Sequence, residues 1–163
     1  MTTQFTTQRI YTRSRGLHNT FGDFVCVHCH NFVSAQVAVA GVHNRNHCPY
    51  CLFSRHLDLY AAGDRLSACK ARMKPIGLTL KRQSKKYARC DQGELMLVHR
   101  CEDCGQLAIN RIAADDDNAA ILAVFHSSLQ IDQLRHSVLA EDGITLLGGA
   151  DKQIVDWRLF GQN

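Results

Sequence analysis

Cys26-Val27-His28-Cys29 and His47-Cys48-Pro49-Tyr50-Cys51 decide how this chain is read. In each pair two residues separate the thiols, and eighteen residues, 30–47, separate the pairs. A Cys-x2-Cys turn points two thiolates at one cation, and two such turns joined by a hairpin complete a tetrahedron. The spacer suits short strands and tight turns, being rich in Val with Gly41 and Asn44 as turn residues. A redox dithiol would want a strand-helix-strand context, which is missing here. Cys26, Cys29, Cys48 and Cys51 are therefore expected to close a structural zinc site.

Four more cysteines extend the pattern: Cys69, Cys90, Cys101 and Cys104. Cys101-Glu102-Asp103-Cys104 is a third pair, and with Cys69 it implies a second zinc site one ligand short. His99, Cys90 and His56 compete for that place. Residues 94–100 read as a strand, and alternation would put His99 on the face of Cys101. Ser54 can cap a short helix through Ala62, ended by Gly63, which would deliver His56. Neither site reads as catalytic. The first is closed by four thiolates, and no His-x-Glu or Cys-x-Glu precedes Cys48 or Cys101 to supply deaminase acid–base chemistry. The run His43-Asn44-Arg45-Asn46-His47 has only a superficial likeness to an HNH nuclease. A non-enzymatic protein with no catalytic residues is expected.

At 163 residues and 18.3 kDa, with 45% apolar residues, the chain fits one domain or two small ones, and its core does not require disulfides. No apolar run approaches the roughly 20 residues of a membrane helix. No export signal is visible, so a reducing cytoplasm is the expected location, where paired Cys act as metal ligands. The net charge of +4 hides an asymmetry. Residues 1–111 carry sixteen Lys/Arg against seven Asp/Glu, and residues 112–163 carry three against eight. The first segment suits a polyanion, while the second is an acidic appendage.

Residues 1–22 read as a flexible basic arm with Arg9, Arg13 and Arg15, although an organelle-targeting segment has the same composition. Between residues 65 and 89 nine Lys/Arg stand with no acid among them. Lys70, Arg72, Lys74, Lys81, Arg82, Lys85, Lys86 and Arg89, together with Arg45, are the expected nucleic-acid contacts, and Tyr87 and Tyr11 are candidates for stacking on bases. No helix carries base-reading side chains for a major groove. The expected partner is structured RNA, by analogy ribosomal RNA in the translation apparatus.

Asp115 to Asn118 supply caps for a helix at 119–125; a second helix is expected at 128–140 and a strand-like segment at 154–160. The fold class is small α+β: zinc-ribbon-like hairpins with one or two Cys-rich zinc sites, followed by a helical C-terminal segment. Its divisions are the arm 1–22, the zinc domain 23–118 and an acidic extension 119–163. Two alternative functions remain. One is a protein-interaction adaptor anchored by Trp157 and Phe160 in the tail. The other is a redox switch, in which oxidation of the Cys pairs expels zinc.

Arg45-Asn46-His47-Cys48-Pro49 resembles the RNHCP-domain family, a bacterial group named for that pentapeptide. The likeness continues in Phe24-x-Cys26-x2-Cys29, Cys51-Leu52-x-Ser54-x-His56-x-Asp58, Gly63-Asp64-Arg65, Cys69, Met73-x-Pro75-Ile76, His99-Arg100-Cys101-x2-Cys104-Gly105 and Asn110-Arg111. It covers roughly residues 20–120. The resemblance implies a small zinc-ribbon-like domain, and with no family Cys expected at Cys90 it favours His99 as the missing ligand. It carries no activity with it. Within the pentapeptide, Pro49 stiffens the turn, Asn46 and His47 are expected to hydrogen-bond the thiolates, and Arg45 meets either phosphate or a nearby Asp.

Overall fold

In the computed structural model of the chain, residues 22–81, 93–131, 136 and 139–161 are described. Strands β1 (Phe24–Val25) and β2 (Phe32–Val33) form a small antiparallel ribbon, followed by the single turn α1 (Val37–Ala40). Strands β3 (Ser54–Arg55), β4 (Arg72–Lys81), β5 (Glu94–Cys101) and β6 (Leu107–Arg111) make an antiparallel sheet in that order. Helices α2 (Asn118–Ser128) and α3 (Lys152–Phe160) follow. The architecture is α+β. No helix among the described residues is long and apolar enough to cross a membrane.

The sheet forms where the sequence is most apolar. Leu95-Met96-Leu97-Val98 is buried on both faces, as a continuous apolar run requires. Leu95 and Leu97 join Leu78, Ile121 and Phe125 in the main core, while Val98 packs with Leu139, Ile144 and Leu146 in a second cluster. Pro75 donates no backbone hydrogen bond, and the β4–β5 register shifts between Pro75 and Gly77. Gly77 is required for a separate reason: a Cβ there would stand 2.9 Å from Leu146 Cδ2 and 3.2 Å from Ser128 Cβ. Asp117 caps α2 by accepting from the Ala119 N–H at 2.8 Å.

The C-terminal extension shares this core. Leu147 and Val155 belong to the main cluster, the Leu147 N–H donates to the Leu78 carbonyl at 2.8 Å, and Arg158 Nη2 donates to the Gly93 carbonyl at 2.6 Å. Two local expectations are corrected. Residues 152–160 are helix, not strand: Ile154, Trp157 and Phe160 recur every third residue, a helical spacing that their β-branched and aromatic character disguises. Residues 54–62 are not a helix. Ser54 and Arg55 pair with Met73 and Arg72 as β3, and the loop beyond is organised by two carboxylates. Asp64 accepts from the backbone N–H groups of Leu59, Tyr60, Ala61 and Leu66, which holds its carboxyl well below the usual range. Asp58 accepts from the N–H groups of Gly63 and Arg65. In the expected second helix, His136 and residues 139–141 are helical; the other positions of 132–138 lie outside the described residues.

Candidate metal centres

The three Cys-x2-Cys segments fold into the same turn. In each, the first Cys N–H donates to the carbonyl five residues on: Cys26 to Asn31 at 2.9 Å, Cys48 to Phe53 at 3.0 Å and Cys101 to Gln106 at 2.8 Å. In each, the residue after the second Cys donates back to the first Cys carbonyl: His30 at 3.1 Å, Leu52 at 2.9 Å and Gly105 at 3.1 Å. That residue is left-handed every time, with φ of 61° at His30, 61° at Leu52 and 78° at Gly105. Glycine takes this conformation without strain; His30 and Leu52 do not, and the rest of the turn must hold them there.

The first two turns face each other. The ligand atoms of Cys26, Cys29, Cys48 and Cys51 all lie within 4.8 Å of one another, with Cys26–Cys51 and Cys29–Cys48 sulfur separations of 3.5 Å. A disulfide needs about 2.05 Å. Zn–S bonds of about 2.3 Å in a tetrahedron place sulfurs about 3.8 Å apart, so these spacings fit a four-thiolate zinc shell and not a bond between thiols. Left to themselves the thiols resist ionising together. Burial pushes Cys48 up to about 11 and Cys51 higher still, whereas at Cys29 burial is outweighed by Asn31, whose backbone and side-chain amides bring it down to about 6. A cation is what a fourfold thiolate requires.

The second cluster joins the third turn to the sheet edge. His56, Cys69, Cys101 and Cys104 bring their ligand atoms within 4.8 Å of one another, with Cys69–Cys101 sulfurs 3.7 Å apart and His56 Nδ1 3.3 Å from Cys104 Sγ. The antiparallel register explains the meeting. His56 follows the end of β3, Cys69 precedes the start of β4, and Cys101 ends β5, and these strand ends lie side by side. His56 Nε2 is buried with no hydrogen-bond partner among the described residues, and the ring's one polar contact there is Nδ1 with Cys104 Sγ. One His and three Cys are a zinc donor set. Both clusters could hold metal ions of zinc type.

His99, expected as the fourth ligand, does other work. Its ring is fully buried in β5, where Nε2 donates to the Leu52 carbonyl at 2.6 Å and Nδ1 accepts from Asn110 Nδ2 at 2.9 Å. Burial, with His47 nearby, lowers it to about 3, so the neutral ring persists. It shares the Cys101 face but lies a full pleat farther along, and braces the second Cys turn instead. Cys90 lies outside the described residues. His56→Ala is expected to reduce bound zinc from two equivalents to one. His99→Ala should keep both while losing about 1–3 kcal/mol through the unpaired Leu52 carbonyl. Metal analysis and thermal melts of the two variants check this, and the reverse zinc pattern would overturn the assignment.

The expected basic contacts divide three ways. Arg9, Arg13, Arg15, Arg82, Lys85, Lys86 and Arg89 lie outside the described residues, as do Tyr11 and Tyr87. Arg72, Lys74 and Lys81 are exposed on β4, and Lys70 is half-buried. Arg45 is corrected: only 4% exposed, it cannot face phosphate. Its Nε donates to the His47 carbonyl, Nη1 to Asp115 Oδ2 at 2.8 Å and the Ser34 carbonyl, and Nη2 to Asp116 Oδ1 at 3.1 Å. His47 likewise turns away from the thiolates, with Nε2 2.8 Å from Asp116 Oδ2.

Sequence reasoning passed over the other half of the exposed basic face. Arg100 stands directly opposite Lys74 and Arg55 opposite Arg72, and cross-strand partners share a face. Beside them His28 stacks on Phe53 with ring centroids 3.7 Å apart, and the Arg72 guanidinium lies 5.5 Å from the Phe53 centroid while it pairs with Glu102. Strand alternation around Arg100 was the available signal.

The RNHCP domain model matches residues 21–122. No curated protein and no solved structure matches the chain. The matched span holds every member of both metal clusters and ends just beyond the Asp115–Asp116 turn that Arg45 grips, and the chain belongs to the RNHCP-domain family.

Proposed function

We propose that this protein is a non-enzymatic zinc-ribbon module that binds structured RNA, ribosomal RNA being the expected class, in the reducing cytoplasm. One observation carries the reading: two like-charged pairs, Arg55/Arg72 and Lys74/Arg100, sit directly opposite each other on one sheet face beside the His28–Phe53 stack. Like charges opposed across strands destabilise a sheet. Arg72 is paired with Glu102, and a polyanion laid along the row would relieve the repulsion between the opposed cations. Phosphates would lie on the Arg/Lys row, and the aromatic stack offers a face to an unpaired base. The free thiols of the described cysteines suit a reducing compartment.

The test is binding of the zinc-replete protein to a structured RNA over about 50 to 200 mM salt. A surface making six or more phosphate contacts loses on the order of a thousandfold in affinity across that range. Replacing Lys74 and Arg100 together by Ala should lower the slope of log K against log salt by about two, with zinc content and melting unchanged. An unchanged slope, or no binding at the lowest salt, would sink this reading. Co-sedimentation with ribosomes then tests the RNA class.

The adaptor alternative retains one support. Trp157 and Phe160 stay 37% and 58% exposed on α3, with Arg158 stacked 4.8 Å from the Trp157 centroid. Deleting residues 141–163 would not separate the readings, because Leu147 and Val155 would leave the core. Trp157→Ala with Phe160→Ala is the cleaner variant: loss of partner capture with RNA affinity intact would favour the adaptor.

A further inference from the structure

The family pentapeptide does more than brace a Cys turn: it forms the wall of a cavity. A cavity of about 460 Å³ opens beside Arg45, Asn46 and His47 and reaches across to β5 and β6. That volume lies in the range of small-molecule sites, and such sites pair apolar walls with a few convergent polar groups. Val42, Met96 and Ile109 supply apolar wall.

The polar groups are unusual in being left open. Asn46 is 6% exposed, yet its carboxamide makes no hydrogen bond to any described residue. A ligand can therefore engage this carboxamide without displacing a protein hydrogen bond. His47 Nε2 lies 2.8 Å from Asp116 Oδ2, and its Nδ1 makes no hydrogen bond to a described residue. Asn110 gives Nδ2 to His99, which leaves its Oδ1 as an acceptor. All three residues line the cavity. Lys81, exposed at the end of β4, stands at the rim with no ion pair among the described residues, while its cross-strand neighbour Glu94 is held by Arg111.

A carboxamide with a donor and an acceptor side by side matches the edge of a nucleobase, Asn110 Oδ1 can take an exocyclic N–H group, and a cation at the mouth meets phosphate. We propose that this cavity binds a single unstacked nucleobase, its edge read by Asn46 and Asn110 and its phosphate met by Lys81. The source of that base in an RNA rests on the function proposed above; the alternative source is a free nucleotide, and the two are separable.

The experiment titrates the isotope-labelled, zinc-replete full chain with AMP, GMP, CMP and UMP, using ribose 5-phosphate as the control that lacks a base. At least one nucleotide is expected to shift the Asn46 and Asn110 side-chain amide signals, and ribose 5-phosphate is not. Asn46→Ala should weaken that nucleotide on the order of tenfold or more while zinc content and melting stay as they were, since the amide has no partner to lose. Ala62→Trp, an exposed position on the cavity wall, should block it from outside the core. Lys74→Ala with Arg100→Ala should leave nucleotide binding untouched. If no nucleotide shifts these signals, or neither Asn46→Ala nor Ala62→Trp weakens it, the proposal is overturned. Nucleotide binding without salt-dependent RNA binding would keep the base pocket, identify its ligand as a free nucleotide and overturn the RNA reading instead. Salt-dependent RNA binding indifferent to both cavity variants would keep the RNA reading and, with nucleotide binding intact, identify the pocket's ligand as a free nucleotide.

Discussion

Cys48→Ser is expected to reduce zinc from two equivalents to one and to abolish cooperative melting of the protein. Cys48 is wholly buried and its sulfur stands 3.5 Å from Cys29 Sγ, inside the first cluster. A hydroxyl at this position is a poor zinc ligand, and the apparent free energy of binding a structural zinc, about 10–16 kcal/mol in small zinc domains, is folding free energy. The core around this cluster consists of little else: Cys26, Val33 and Cys48, with Phe24, Cys29 and Cys51 against them. Nothing there replaces the metal. The damage should also spread, because the same turn carries Leu52 into the main core and its Pro49 carbonyl accepts from the Asp117 N–H at the cap of α2. Metal analysis of the purified variant and a melt followed by circular dichroism check the result. Two retained zinc equivalents with a normal melt would remove Cys48 from the ligand set.

The parts of this fold that the sequence made legible are those in which chemistry fixes spacing. A metal turn needs its two Cys three positions apart, so all three turns were readable, down to the recurrence of their pattern. Strands β4 and β5 and helix α2 announced themselves by apolar runs and by Asp117. What could not be read depends on which groups meet in space. Alternation correctly put His99 and Cys101 on one face, but the cluster is set by neighbouring strand ends, and the ends of β3 and β4 bring His56 and Cys69 to Cys101. His56 was one of three candidates because its delivery by a helix was conceivable; in fact the chain arrives extended. The helix expected at 54–62 fails for a related reason. Leu57 to Ala62 has the composition of a helix, but Asp64 and Asp58 offer its backbone N–H groups six carboxylate hydrogen bonds in all with Gly63, Arg65 and Leu66, and these compete successfully with a helical ladder. Arg45 was misjudged because a lone Arg in a polar run looks solvated, and nothing local reveals that two acids seventy residues later enclose it.

Those acids give the second large effect. Asp116→Ala is expected to destabilise the protein by about 3–5 kcal/mol, the usual consequence of stripping one partner from a buried ion pair. In a domain of this size that lowers the melting temperature by on the order of 10 °C. The side chains of Arg45 and Asp116 are both fully buried, and Asp116 also takes the His47 ring at 2.8 Å and the Ala113 N–H at 2.7 Å. Its removal leaves the buried guanidinium with Asp115 as its one carboxylate, beside the His47 and Ser34 carbonyls, and strips the His47 ring and the Ala113 N–H of their acceptor. Asp115→Ala should cost much less, near 1 kcal/mol, because that side chain is 30% exposed and water can take its place. The contrast separates an internal clamp from a ligand-facing arginine. If Arg45 served phosphate, Arg45→Met would weaken RNA binding and spare the melt; as a clamp it should lower the melt and leave the RNA affinity of the folded fraction alone. Combining Arg45→Met with Asp116→Leu should recover part of the loss, since an apolar pair no longer strands a charge. Zinc content should stay at two equivalents throughout, because none of these side chains belongs to either cluster. A melt for Asp116→Ala within about 2 °C of the parent would show that the pentapeptide is held by its Cys turn alone, and that the buried arginine was never what fastens the metal ribbon to the helical layer.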